Sequence, residues 1–463
     1  MSVPEHEGMG EGGSDGHSLP SSHAAQQALR PQEVPKSDGP LLRRVARHLV
    51  ADVTHLLGKL WGLAVIALFA ELGYAIMQMA ALPLYLRTAF RMPDGRPLDA
   101  WIIGVIVSTF LVSETAFKVP FGILSDRYGR KPFIVFGTLV SALTPLGMRI
   151  AGSPYTFLPL RALDGIGSAA LWPTVFAAVA ALTTAERRVA AMSIFNMTYL
   201  IGVSLALPVY SAVYGHVRHH ANVFLVVCAV FAISSALAVF CVPPVPKERP
   251  EEEQATGDPG QTPTTVKAMV ALAKSSRRIM VMMTLSLIYT MGINMLSGTI
   301  SLWAKEVLGL AEEKIGLIFV GPGLVVVVLA VPLGWIGGHL GRTRSVRFGM
   351  AVAAVAMWVI PHTRSLMTLT AVVAPMIIGF LMAVPAWMAM VTEAAPPGQQ
   401  GTVVSAIATA QGIGAMVAPA IGGRLYDWAP SWPFYGSAAL LTAAFLLAVF
   451  LLKEPARDST VRV

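Results

Sequence analysis

The sequence predicts an all-α membrane protein with twelve transmembrane helices, in two sets of six related by a parallel repeat. Three observations carry this expectation. Of 463 residues, 55% are hydrophobic and only 13% charged, about half the charged fraction of a soluble protein, and the mean hydropathy is +0.63. Apolar runs recur at the length of about 20 residues that a bilayer requires. A thirteen-residue segment returns, in the same direction, 212 positions later. So few charges could not cover a large soluble enzyme, and this places the chain among multi-pass membrane proteins.

Residues 1–40 are rich in Gly, Ser, Pro and Glu and have no apolar segment, so a disordered tail is expected there and no cleavable signal peptide. The tail holds His6, His17 and His23 without a recurring ligand spacing. From 41 to 60, Leu41, Val45, Leu49, Val53, Leu56 and Leu60 keep helical spacing, with Arg43, Arg44, Arg47 and Lys59 largely between them. This is the pattern of a basic helix lying on a membrane surface; a first span with a polar start is the simpler alternative. A first set of apolar runs occupies 61–86, 101–124, 132–151, 155–182, 189–213 and 222–242. The segment 243–278 has no apolar periodicity and reads as a linker. A second set occupies 279–303, 314–337, 345–361, 366–391, 402–424 and 434–452, and a short tail, 453–463, follows.

Orientation follows from the basic residues. With both termini in the cytoplasm, 23 of the 34 Lys and Arg fall in cytoplasmic segments and 9 in the opposite loops, as the positive-inside rule requires. The weak point is the first outer loop, with Arg87, Arg91 and Arg96. The net charge of +8 fits basic loops beside anionic lipid. No basic stripe is interleaved with aromatics, which argues against a nucleic-acid partner. Cys228 and Cys241 are 13 residues apart in one run, about 20 Å along a helix, too far for a disulfide.

The repeat pairs "VPFGILSDRYGRK" (119–131) with "VPLGWIGGHLGRT" (331–343) without gaps. Pro173 and Pro385 share the offset, and Pro208 and Pro419 differ by 211. Such a repeat implies an axis along the membrane normal. Within the first copy, Gly122 is expected to let helices approach and Gly129 to make a turn at positive φ. Arg127, Arg130 and Lys131 are expected to hold the loop at the cytoplasmic face and reach lipid phosphates.

"GILSDRYGRKP" resembles the signature loop of the major facilitator superfamily, with Gly122, Asp126, Arg127, Gly129, Arg130 and Lys131 all in place. "RALDGIGSAA" (161–170) is similar to that family's fourth-span motif. The resemblance covers about residues 60–455. It implies two six-helix bundles around a central cavity that opens alternately to each side. It also implies that Asp126 faces the N-terminus of the eleventh helix, near Thr402, where a carboxylate is favoured. Asp126 is then expected to latch the halves in the outward-open state; a purely topogenic loop is the alternative. The second copy carries Gly338 at this position, so the latch is one-sided.

Five ionisable residues fall deep inside spans: Glu71, Glu114, Lys118, Arg161 and Asp164. Each is costly in hydrocarbon, so each is expected to face protein or water. Glu71 has no basic residue near it in its own run and is the leading candidate to exchange a proton against substrate; a fixed interhelical hydrogen bond is the alternative. Glu114 and Lys118 are four apart and can pair, for structure or for function. The family resemblance implies that Arg161 assists proton coupling. In the second half Asn294 is the nearest polar candidate. Tyr74, Gln78, Trp172, Asn196, Tyr199, Tyr289 and Trp387 are further cavity candidates, each also explicable as packing or as an interfacial anchor.

These features point to a secondary transporter working by alternating access and driven by a proton or other ion gradient, with no cofactor, no metal and no catalytic residue. A proton-coupled exporter of small organic molecules or drugs is the leading expectation, because the acidic groups cluster in the first half. One departure counts against it. The family's antiporter motif belongs in the fifth span, where "GVSLALPVYSAVYG" lacks its glycine pair, whereas "GAMVAPAIGG" in the eleventh span is a better copy. Uptake by proton symport is the alternative, and a transporter-like sensor or lipid-handling protein a further one. The sequence has no HExxH, Walker loop or Ser/His/Asp set at a span end, which argues against an enzyme. The segment "HVRHH" (216–220) could bind zinc but reads more simply as a solvated loop. Expected partners are a small-molecule substrate, protons and the bilayer, around a monomer in the cell membrane.

Overall fold

Hydrophobic runs with a polar loop at each end fold as helices, because a backbone in lipid must satisfy its own hydrogen bonds. The computed structural model describes residues 60–183, 185–217, 220–242, 276–395 and 400–452. The expected N-terminal tail, surface helix, most of the linker and the C-terminal tail lie outside the described residues.

The first half holds α1 (Leu60–Ala89), α2 (Ala100–Tyr128), α3 (Arg130–Ile150), α4 (Phe157–Ala181), α5 (Ala185–Val217) and α6 (Val223–Cys241). The second holds α7, in two pieces (Arg277–Asn294 and Ile300–Glu306), α8 (Leu317–Leu340), α9 (Arg342–Val359), α10 (Leu366–Ala394), α11 (Gln400–Trp428) and α12 (Trp432–Leu451). Among the described residues, ten of these are long and apolar enough to cross a membrane; α7 and α8 are not among the ten. The one pairing of strand type among the described residues is an isolated bridge between Arg91 and Pro97.

Two helices depart from the expected pattern. The run at 279–303 was expected as one continuous span. Instead α7 stops at Asn294, residues 295–299 turn, and Gly298 takes φ +85°, a conformation that favours glycine and ends a helix. In α1, Met77–Ala81 widens to a π-helical turn, a defect that tends to mark functional positions.

Glycines fix how the helices cross. Gly137 of α3 lies against the backbone of Gly167 in α4, and Gly349 of α9 against Gly379 in α10. Both pairs are displaced by 212 positions, and neither leaves room for a Cβ. The turns at Gly129 (φ +99°) and Gly341 (φ +100°) share that displacement and their conformation. Between the halves, Gly104 of α2 meets the backbone of Pro419 and Ala420 in α11, while Gly316, just before α8, meets Leu207 and Pro208 in α5.

The largest apolar core fills the first half and continues into the second through Leu302, Trp303 and Phe434. Trp303 is fully buried, its ring 4.9 Å from that of Phe434. A separate cluster, including Ile279, Met282, Val346, Met390 and Ile407, fills the other end of the second half. We call the end that carries the 122–131 loop the motif end and the opposite one the far end.

Candidate functional site

The charged interior is assembled by the same glycines. In α4, Gly165 lies against Phe110 and Ser113 of α2, and Gly167 against α3. This close packing carries Arg161 and Asp164 of the same helix into the protein interior, where both are buried and form an ion pair. The Arg161 guanidinium sits 4.2 Å from the centre of the Phe110 ring, and Nη2 donates to Gln78 Oε1 at 3.3 Å. Gln78 lies in the π-helical turn of α1. The Arg161 Nε donor is buried and has no hydrogen-bond acceptor among the described residues. Beside the pair, the Tyr74 hydroxyl lies 2.7 Å from Ser141 Oγ.

Glu71 occupies a different position. It is buried at 7% exposure, and Gly202 of α5 packs directly on its side chain. It shares a hydrogen bond with Tyr199, also on α5. Among the described residues it has no ion-pair partner, unlike Arg161 with Asp164 and Glu114 with Lys118. The Tyr199 ring stacks edgewise on Trp172 at 5.5 Å, and Phe195 and Phe176 continue the aromatic cluster.

Glu114 accepts from Ser168 Oγ at 3.0 Å and pairs with Lys118 at 3.1 Å. Lys118 is 43% exposed and Glu114 12%, so the pair leads from the interior outward. All five intramembrane charges therefore line one region of the first half. Asn294 does not join them: its amide donates to Thr290 O one turn back, at the break in α7. Tyr289 and Trp387 pack against the apolar core of the second half, while Asn196 is exposed.

The signature loop departs from two expectations. Gly122 makes no close helix approach here; a Cβ on it would meet nothing within 4 Å. Arg130 is not turned out to lipid phosphates but is buried at 6%, 3.7 Å from Asp126 across the Gly129 turn. The Asp126 carboxylate is 57% exposed, and Arg130 is its ion-pair partner among the described residues. Arg127 is exposed and lies over the Tyr128 ring at 5.6 Å, and Lys131 is half-buried.

Sequence reasoning missed the far end. There Glu306 accepts from Arg87 at 2.9 Å and from the Tyr426 hydroxyl at 2.9 Å. Glu312, buried at 6%, binds Lys305 and the Tyr210 hydroxyl (2.8 Å), and its backbone carbonyl accepts from Ser211 Oγ at 2.7 Å. Asp427 accepts from the backbone N–H of Ala100 at 2.7 Å and of Trp101 at 3.0 Å. Each carboxylate joins the first half to the second. The available signal was a carboxylate at a helix end, which a count of basic residues passes over. The same contacts account for two of the three outer-loop arginines: Arg87 is committed to Glu306, and Arg96 to Asp94 at 2.6 Å. That pairing lowers the Asp94 carboxyl below its usual range.

Fold and site together define a multi-pass helical membrane protein whose halves are joined by carboxylates at the far end and whose interior carries charge. The sequence profile of the Major Facilitator Superfamily matches residues 63–382 and again 282–462; the chain belongs to that superfamily, a family of transporters. It is 24% identical over 370 residues to multidrug resistance protein 2 of Bacillus subtilis (strain 168), covering 76% of this chain and 86% of that one. It is 23% identical over 372 residues to the inner membrane transport protein YajR of Escherichia coli (strain K12), covering 78% and 77%. Among solved structures, a peptide transporter POT in complex with sulfate superposes with a TM-score of 0.65 at 17% identity, over 85% of this chain and 93% of that one. A further relative, multidrug resistance protein 1 of Bacillus subtilis (strain 168), is 22% identical over 357 residues, covering 76% of this chain and 87% of that one.

Proposed function

We propose that this chain is a proton-coupled exporter of small organic molecules, working by alternating access in the cell membrane with both termini in the cytoplasm. The carrying observation is Glu71. It is a buried carboxyl held by a neutral hydroxyl from another helix. Such a group can take up and release a proton without breaking an ion pair, whereas Arg161 with Asp164, and Glu114 with Lys118, are committed to partners. The acid and the aromatic rings around Tyr199 form one wall, suited to an apolar solute that carries positive charge. Proton and solute then compete for the same carboxylate, the condition for exchange. The names of the relatives, multidrug resistance proteins among them, favour outward movement.

The reading includes twelve spans, with α7 and α8 crossing as well, and two bundles related by a parallel repeat. The matched glycine crossings and the matched turns at Gly129 and Gly341 support that relation. It also includes Asp126 as a latch at the motif end, engaged only when the far end opens.

The test is transport in proteoliposomes under an imposed pH gradient, screened over lipophilic cations. Expected is solute extrusion against proton entry, abolished by Glu71→Gln with substrate binding retained. Uphill transport by that variant at the unaltered rate would remove Glu71 from the mechanism. Accumulation of solute together with protons would replace exchange by symport.

A further inference from the structure

The N-terminus of α2 has two carboxylates within reach and uses the more distant one. Asp99 stands at its N-cap position with φ −59° and ψ +137°, yet its side chain caps nothing. The free N–H groups of Ala100 and Trp101 are instead taken by Asp427, more than 300 positions later, at the C-terminal end of α11. The approach is permitted by Gly423, which lies against the backbone of Ala100 and Trp101 with no room for a Cβ, and by Gly104 one turn further along α2. The "PAIGG" segment of the eleventh span thus has a packing role: Gly422 faces Met295 of the α7 turn and Gly423 faces α2.

We propose that the two aspartates exchange on this helix end. Asp427 caps α2 in trans while the far end is closed, and Asp99 caps its own helix when the halves part. A helix start left bare is unfavourable, since its first N–H groups have no partner within the helix. A local carboxylate that takes over removes most of that penalty, because aspartate is among the best N-caps. Asp427 and Asp99 are therefore positioning residues, one weighting the closed state and the other the open one. The remaining charges near this corner are Arg87, which pairs with Glu306, and Arg96, which lies 3.9 Å from Asp99 and closer to Asp94. Asp126 stands at the other end of α2, 57% exposed, so the α2–α11 pair carries an aspartate near the C-terminus of each helix. This inference rests on alternating access as proposed above.

The experiment uses the full chain with Cys228→Ser and Cys241→Ser, spin-labelled at Pro93→Cys and Lys314→Cys. Both positions are exposed at the far end, one in each half. Dipolar spectroscopy reads the ratio of short (closed) to long (open) distances. Asp427→Ala should lower that ratio by about five- to thirty-fold, the range expected for losing a carboxylate from a partly buried helix N-terminus. Asp99→Ala should raise it. A purely structural role for either residue would lower thermal stability without moving the two variants in opposite directions. An unchanged ratio in Asp427→Ala, or a shift of the same sign in both variants, overturns the proposal. Transport by the same variants separates the two readings. Opposed shifts without solute movement would sink the exporter and keep the cap exchange, and gradient-driven transport with an unresponsive ratio would do the reverse.

Discussion

Arg161 is the largest polar side chain fully buried in the described protein, and its partner Asp164 is one turn along the same helix. Removing one member of such a pair strands the other charge, at about 3–5 kcal/mol. Arg161→Ala should therefore unfold at a markedly lower temperature in detergent, and Arg161→Ala with Asp164→Ala should recover much of the loss. If the double variant is no more stable than the single one, the pair does not carry this energy. The five charges deep in apolar runs were legible in the sequence, because nothing else in those runs is ionisable. Some partners were legible too: the spacing of Glu114 and Lys118 allowed their pair, and Gln78 and Tyr199 stood among the cavity candidates. Ser168 and Ser141 read as ordinary residues until α1, α2, α3 and α4 are folded together. Glu312 and Asp427 were overlooked for a related reason: a charge at the end of a run looks solvated, and only tertiary contact shows that it is shared between the halves.

At the scale of elements, helix identity followed from hydrophobic length, and most ends agree with the apolar runs to within a few residues. The exceptions have local causes. The turn at 295–299 interrupts α7 without any proline, and the glycine that permits it, Gly298, sits within an otherwise apolar stretch. The π-helical turn in α1 leaves no mark in the hydrophobic period at all. The Gly129 turn was readable, and its conformation (φ +99°, ψ +149°) lies where a side chain is strained. Gly129→Ala and Gly341→Ala should each cost about 1–3 kcal/mol. Thermal unfolding should show the two costs to be similar, since the turns match. A silent Gly341→Ala would mean that the second turn relaxes where the first cannot.

Across the whole molecule, carboxylates join the two halves at the far end, while at the motif end the ion pair of Asp126 among the described residues is with Arg130 of its own half. Glu312 has the most partners at the far end. Glu312→Ala leaves the Tyr210 hydroxyl without its acceptor and Lys305 without its counter-charge. The expected loss is about 1–3 kcal/mol, and adding Lys305→Met should return part of it, a coupling that a double-mutant cycle measures. Full additivity of the two substitutions would show that the contact contributes nothing. That these carboxylates join the halves at the far end could not be read from the sequence, because each contact brings together residues about 100 or more positions apart.

The length of α2 has a mechanical consequence. Its 29 residues span about 43 Å, and glycines bring it against α11 from its first turn, at Gly423, to its middle, where Gly412 meets Thr115. A tilt of about 10° around its middle would carry each tip by roughly 4 Å, beyond the distance at which an N–H and a carboxylate still bind. A helix this long acts as a lever, and its tips cannot be half engaged. The abruptness of closure would then come from leverage alone, with no need for cooperative side-chain rearrangement along the way.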